Sequence, residues 1–415
     1  MSTKKNTLSG GTLLLVSTVV VNFLNFAFNA YLGRVLTFED FALITLFNSF
    51  SYLLSVLQNA LSVTMNHKSS ALVGQYGLQS GLEFRHAMLK RIIISSGLLS
   101  IAWVALIPIT QSFFHVTMIL PLLFTPIVMV SFLLYANGGF LQGTFHFKAL
   151  STVVVLESLS KLVIAWLFVQ GNIGSWAYVS ITLSTIVAFT LSMLLIPKPK
   201  EVIDRSKTYT FPRKFFIGSV IAGFASMAYL TFDVMLAKHF LTSLQAGQYA
   251  LLSLIGKMIY FFALLPNLFT VAIVSRSGES ARNKTFMIVT AITTGLLICA
   301  YIGLGLFGDI VIPILFGSKA ISILPFLSMY AAAIAFFALS SCITTFHLAL
   351  QEYAYPISSI IIACFMCLAL GFFHADIEQF IHVILYTSIV SLAVSAGMHI
   401  LEANHVLSFK KGLSG

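Results

Sequence analysis

Apolar residues in this chain run in long blocks parted by short polar connections, with neither the strict alternation of a half-buried strand nor the one-sided stripe of a surface helix. A block of about 20 apolar residues covers roughly 30 Å as a helix, the depth of a bilayer's hydrocarbon layer. No water is present there to satisfy backbone N–H and C=O groups, so each block is predicted to close its own hydrogen bonds as an α-helix. The predicted spans of the first half are Gly11 to Leu32, Phe41 to Leu61, Ile92 to Thr110, Met118 to Tyr135, Leu150 to Gln170 and Trp176 to Ile196. Those of the second half are Phe215 to Leu236, Gly247 to Val271, Phe286 to Phe307, Ile323 to Thr345, Ile357 to Phe373 and Phe380 to Leu401. The predicted fold class is an all-α polytopic membrane protein with about twelve transmembrane helices.

Composition agrees with the pattern. Of 415 residues, 58% are hydrophobic and 9% charged, and the mean hydropathy is +0.97, outside the range of soluble domains. Eighteen of the 23 Lys and Arg residues fall on the side that holds both termini, among them Lys4, Lys5, Lys410 and Lys411. Three, Arg34, Lys238 and Lys319, fall on the other side, and Lys161 and Lys257 lie within spans. The positive-inside rule then predicts cytoplasmic amino and carboxyl termini. The net charge of +10 is accounted for by loops facing anionic headgroups, so nucleic acid is not an expected partner. The first apolar run lacks an obvious small-residue cleavage site and is expected to be retained as a helix. Trp166 and Trp176 flank an outer connection, as interfacial tryptophans do. Cys299, Cys342, Cys364 and Cys367 all fall in predicted helices, so core packing is expected of them and no disulfide framework.

The stretch 197–214 carries six basic residues and three prolines and reads as a cytoplasmic linker between an amino-terminal lobe, 1–196, and a carboxyl-terminal lobe, 215–415. A weak internal repeat supports two lobes of six helices: Tyr31-Leu-Gly-Arg-Val-Leu-Thr followed by Phe41-Ala-Leu resembles Met235-Leu-Ala-Lys-His-Phe-Leu-Thr followed by Tyr249-Ala-Leu. An even number of helices gives both repeats one orientation, which predicts a pseudo-twofold axis along the membrane normal and a transport site between the lobes.

Four carboxylate or ammonium side chains sit inside the predicted spans, where an uncompensated charge costs about 2.5–3.5 kcal/mol on insertion scales. Asp233 and Lys257, on the seventh and eighth spans, have two readings: a buried pair that fixes helix packing, or a cation offered by Lys257 to an anionic substrate, with Asp233 tuning it or taking up a coupling ion. Glu157 and Lys161 are spaced i, i+4 on the fifth span and either neutralise each other or form a gate or relay. Asn22, Asn25 and Asn29 share one face of the first span, for interhelical hydrogen bonding or as a lining that meets sugar hydroxyls. Aligning Arg34 with Lys238 sets Asn29 opposite Asp233 in the repeat. Gly218, Ala222 and Ser226 form a small-residue stripe suited to close helix packing. No G-x-S-x-G, Walker loop, H-E-x-x-H or acidic cluster spaced for a metal ion is present, so no enzyme, cofactor or metal is expected.

At Gly11-Thr-Leu-Leu-Leu through Phe41-Ala, and at Asp233-Val-Met-Leu-Ala-Lys-His-Phe-Leu with Ala246-Gly-Gln-Tyr-Ala-Leu and Gly256-Lys, the chain resembles the polysaccharide repeat-unit flippases of the Wzx type, within the multidrug, oligosaccharidyl-lipid and polysaccharide exporter superfamily. The resemblance covers the whole chain in topology and these blocks in motif. It implies a bacterial inner-membrane protein that moves an undecaprenyl-pyrophosphate-linked oligosaccharide to the periplasmic leaflet for O-antigen or capsule assembly. Candidate partners it implies are a polysaccharide polymerase, a chain-length regulator and a coupling proton or sodium ion. By position, Lys257 resembles a central-cavity residue of that family, whereas the first span carries asparagines where some relatives have a basic residue, and Val271-Ala-Ile-Val-Ser-Arg lacks the proline often found there.

Two other classes stay open. A cation-coupled antiporter for small organic cations uses the same architecture, but generally wants an intramembrane carboxylate in the amino-terminal lobe, and the first four predicted spans hold no Asp or Glu. A glycan polymerase would need arginines on large outer loops, and the outer loops here are short.

Overall fold

A helix does not stop where its apolar run stops: once the backbone is hydrogen-bonded, polar residues extend it into the headgroup region. In the computed structural model, which describes residues 2–199, 209–267, 270, 279–350 and 352–412, this lengthens several predicted spans. Lys200, Arg205, Lys207 and the stretch 271–278 with Arg276 lie outside the described residues, as do the side chains of Lys4, Lys5, Lys214, Ala222, Ser226, Lys410 and Lys411.

The helices of the first half are α1 (Ser2–Val35), α2 (Phe38–Tyr76), α3 (Leu78–Phe114), α4 (Ile119–Gly143), α5 (Phe147–Gln170) and α6 (Val179–Leu195). Those of the second are α7 (Arg213–Met227), α8 (Tyr229–Phe240), α9 (Ser243–Ala263), α10 (Glu279–Ala300), α11 (Gly308–Phe316), α12 (Leu324–Ala349), α13 (Ala354–Phe372) and α14 (Ile377–Gly412). Among the described residues ten helices are long and apolar enough to cross a membrane, or eleven if Phe215–Ala225 and Tyr229–Phe240, bent by 56°, form one span. The 17-residue α6 is a shorter apolar helix. The seventh predicted span is thus two helices, and its break falls just before the segment that carries Asp233.

Only one residue, Gly77, separates α2 from α3. Its φ of 81° lies where a side chain is strained, so glycine permits the turn. Thr37 Oγ1 accepts from the Asp40 N–H at 3.1 Å, and Thr242 Oγ1 accepts from the Gln245 N–H at 3.4 Å. Each threonine caps a helix in its copy of the repeat.

The chain divides into two compact units: Met1–Leu36 with Phe50–Gly223, and Thr37–Ser49 with Phe224–Gly415. In the first, α1 packs along α5, α3 against α4, and α6 against both α4 and α5. Lipid tails are as apolar as leucine, so helix contacts here rely on close packing and polar bonds. At Gly139 an added Cβ would lie 2.9 Å from Ser62 Cα, and at Gly143 2.6 Å from the Asn66 carbonyl oxygen, so α4 meets the backbone of α2. Gly218, expected in a close-packing stripe, has no such neighbour within 4 Å among the described residues. Buried Arg85 donates from Nε and Nη2 to Asn137 Oδ1 at 3.0 and 2.8 Å, and Asn137 Nδ2 donates to Ser192 Oγ at 2.9 Å, tying α3, α4 and α6.

In the second unit α12 is central, packed against α9, α10, α13 and α14, while α8 lies against α9 and α13. Most of α9 is buried, whereas α3 and α10 present mainly exposed apolar side chains, as lipid-facing helices do. The four cysteines are free thiols.

Candidate functional site

The second unit buries a carboxylate and an ammonium group in one neighbourhood. On α9, Tyr249, Ser253 and Lys257 recur every fourth residue and so share a face. Asp233, on α8, is 2% exposed, and its Oδ2 accepts from the Tyr249 hydroxyl at 2.9 Å, the Tyr330 hydroxyl at 3.2 Å and Ser253 Oγ at 3.4 Å. Its other oxygen, Oδ1, is buried and has no hydrogen-bond partner among the described residues. Lys257 is 6% exposed and stands within electrostatic reach of Asp233.

Packing puts Tyr330 in range. A Cβ at Gly256 would lie 2.5 Å from the Tyr330 ring and 2.8 Å from Ile334, so the glycine lets α12 approach α9. Tyr330 meets Tyr249 edge-on with centroids 5.7 Å apart, and Tyr249 meets Phe380 of α14 at 4.9 Å. One turn before Asp233 on α8, Tyr229 stacks on Phe337 at 4.0 Å and donates to the Ile384 carbonyl at 2.8 Å. A hydrogen bond to a charged group contributes about 1.5–3 kcal/mol. Tyr330→Phe is therefore expected to lower stability by about that amount, read as a fall in the thermal unfolding midpoint in detergent. An unchanged midpoint would show that the hydroxyl does not support the carboxylate.

The first unit holds a separate constellation. Lys161, half-buried on α5, donates from Nζ to Asn25 Oδ1 of α1 and lies 4.8 Å from the Phe28 ring centroid. Glu157, one turn earlier on α5, interacts electrostatically with Lys161 and with Tyr135 of α4. Asn29 Nδ2 turns back to the Asn25 carbonyl at 2.8 Å, and Asn22 is exposed. The structure thus brings Asn25 to Lys161, and Asp233 into a group with Tyr249, Ser253 and Lys257. Asn22 joins neither.

Sequence reading passed over Tyr249, Ser253 and Tyr330. The first two were legible as a polar stripe leading to Lys257; Tyr330 comes from a helix 97 positions beyond Asp233 and had no local signal.

No family model matches the sequence, and no curated protein matches it. Solved structures do. An inward-facing multidrug resistance MATE family transporter of the MOP superfamily aligns with a TM-score of 0.73 at 14% identity, over 96% of this chain and 99% of its own. The lipid II flippase MurJ, in an inward closed conformation, gives a TM-score of 0.72 at 17% identity, over 93% of this chain and 87% of its own. The chain has the MATE and MurJ transporter fold. A MOP superfamily transporter from Pyrococcus furiosus, described as having a binding pocket of reverse polarity, aligns at 0.61 with 15% identity over 94% of each chain. The shared fold extends over nearly the full length, as the predicted multi-pass architecture requires.

Proposed function

We propose that this protein is a flippase of the MOP superfamily that carries an undecaprenyl-pyrophosphate-linked oligosaccharide repeat unit across the bacterial inner membrane, from the cytoplasmic to the periplasmic leaflet, by alternating access. The observation that carries this reading is a buried ammonium group, Lys257, on a polar helix face within a fold shared over nearly its full length with a lipid II flippase. A pyrophosphate needs a fixed cation inside the membrane, and a glycan needs polar groups, because crossing hydrocarbon would strip its hydrogen bonds.

In this reading Lys257 binds the pyrophosphate, Asp233 tunes it or takes up a coupling proton or sodium ion, and Asn25 and Asn29 meet sugar hydroxyls, with Asn22 further along the same helix. Glu157 and Lys161 form the gate or relay. Both chain ends lie in the cytoplasm, residues 1–196 and 215–415 act as the two lobes about the linker 197–214, and a polysaccharide polymerase and chain-length regulator act downstream.

One observation favours a second reading, cation-coupled antiport of small molecules. Asp233 keeps a buried oxygen with no described donor, and MATE transporters share the fold. Deletion of the gene separates the two. Loss of long-chain surface glycan, restored by the wild-type gene, is expected; intact glycan with drug sensitivity would establish antiport instead.

A further inference from the structure

At the far end of α12, roughly 25 Å along the helix from Tyr330 at about 1.5 Å per residue, a second polar cluster forms from three elements. His347 stands in the last turn of α12, Glu352 in the connection to α13, and His399 and Glu402 on α14. The backbone folds Glu352 back: its N–H donates to the His347 carbonyl at 3.0 Å.

The His347 side chain is 4% exposed, and its Nδ1 faces two carboxylates. It contacts Glu352 Oε2 directly, and Glu402 Oε2 lies 3.4 Å away. All three donor atoms, His347 Nδ1, Glu352 Oε2 and Glu402 Oε2, lie within 4.8 Å of one another. Two carboxylates and one imidazole nitrogen thus converge on a single point, the Glu352 and Glu402 side chains being 40% and 46% accessible to an incoming ion.

The surroundings hold these donors in place. His347 Nε2 is bonded to His399 Nδ1 at 2.9 Å, which fixes the ring and leaves Nδ1 aimed at the carboxylates. Tyr355 stacks on the His347 ring with centroids 3.6 Å apart and planes at 6°, and its hydroxyl donates to Glu402 Oε2 at 3.0 Å. Bonded partners of this kind orient the ligands of metal sites. A tetrahedral ion bound at about 2.0–2.2 Å sets its ligands on the order of 3.4 Å apart, the spacing between His347 Nδ1 and Glu402 Oε2. Glu352, on an exposed connection with 40% of its side chain accessible, needs only to swing outward to match.

We propose that His347, Glu352 and Glu402 bind one divalent transition-metal ion of the zinc class, with His399 and Tyr355 as positioning residues. An imidazole with two carboxylates suits such an ion better than magnesium or calcium, which take oxygen ligands. The ion would staple the end of α12 and the short connection that follows it to α14, some fifty positions further along the chain.

The test uses the full chain, purified in detergent with a tag that contains no histidine, and Co²⁺ and Zn²⁺ as probes. One Co²⁺ per chain is expected, with the visible bands of a tetrahedral site and none of the near-ultraviolet charge transfer that thiolate ligands produce. Zn²⁺ should displace it and raise the thermal midpoint. Glu352→Gln and Glu402→Gln should each weaken binding at least about tenfold, and Tyr355→Phe about tenfold, within the range for partners that orient ligands. Because Glu352 sits on the exposed connection, its variant carries the test even where His347→Gln fails to fold. Binding of no stoichiometric ion by the wild type, or unchanged affinity in the Glu352→Gln, Glu402→Gln double variant, would overturn the proposal.

Discussion

Lys257→Met is expected to reduce the yield of folded protein sharply, and adding Asp233→Asn is expected to restore that yield while transport stays absent. The single substitution leaves Asp233 buried, still holding three hydroxyls but with the charge of Lys257 removed, and breaking a buried pair costs about 3–5 kcal/mol. Replacing both partners is often nearly neutral, because neither charge then remains to be desolvated. The asparagine oxygen still accepts from Tyr249 and Tyr330. Folded yield is read by size-exclusion elution and thermal midpoint, and transport by recovery of surface glycan in a deletion strain. A double variant that regains both fold and transport would reduce the pair to a packing device and remove Lys257 from substrate binding.

Gly139→Val is expected to be among the most damaging single changes in the first unit. Its Cβ would fall 2.9 Å from the Cα and carbonyl carbon of Ser62, backbone atoms of α2 that cannot rotate aside. Overpacking of a tight interior costs about 1–3 kcal/mol, occasionally more, and a clash with helix backbone belongs at the top of that range. Gly218→Ala is the counterpart: no described atom lies within 4 Å of its Cβ, and alanine gains up to about 1 kcal/mol of helix propensity. The two thermal midpoints should move in opposite directions. Equal losses would mean that α2 and α4 do not pack as described.

That contrast marks where sequence reading stopped. The apolar blocks located the helices because a membrane forces each backbone to satisfy itself, but an i, i+4 glycine pattern looks the same whether or not another helix lies against it. Gly218 fits the pattern and has space; Gly139 and Gly143, which have none, follow Tyr135-Ala-Asn in a span expected to end at Tyr135. Helix ends were missed for a related reason. Hydropathy marks the hydrocarbon slab, so α2, expected to stop at Leu61, continues through Asn66, His67 and Lys68 to Tyr76. Charged residues were legible as candidates, since their cost in lipid is a local property. Their partners were legible only where helical spacing placed them: Glu157 with Lys161 was visible, whereas Asn25 with Lys161, 136 positions apart, was not.

The 56° bend between α7 and α8 has a price in lipid, since interrupting the ladder frees carbonyl oxygens in a medium with no donors. Thr231 answers it: buried just past the bend, its hydroxyl donates to the Met227 carbonyl at 2.7 Å. Tyr229, at the first position of α8, is meanwhile pinned by its own hydroxyl to the backbone of α14. The carboxylate helix therefore starts from a capped and anchored corner made without proline, and it holds Asp233 at a fixed height and angle whatever the segment ahead of the corner does.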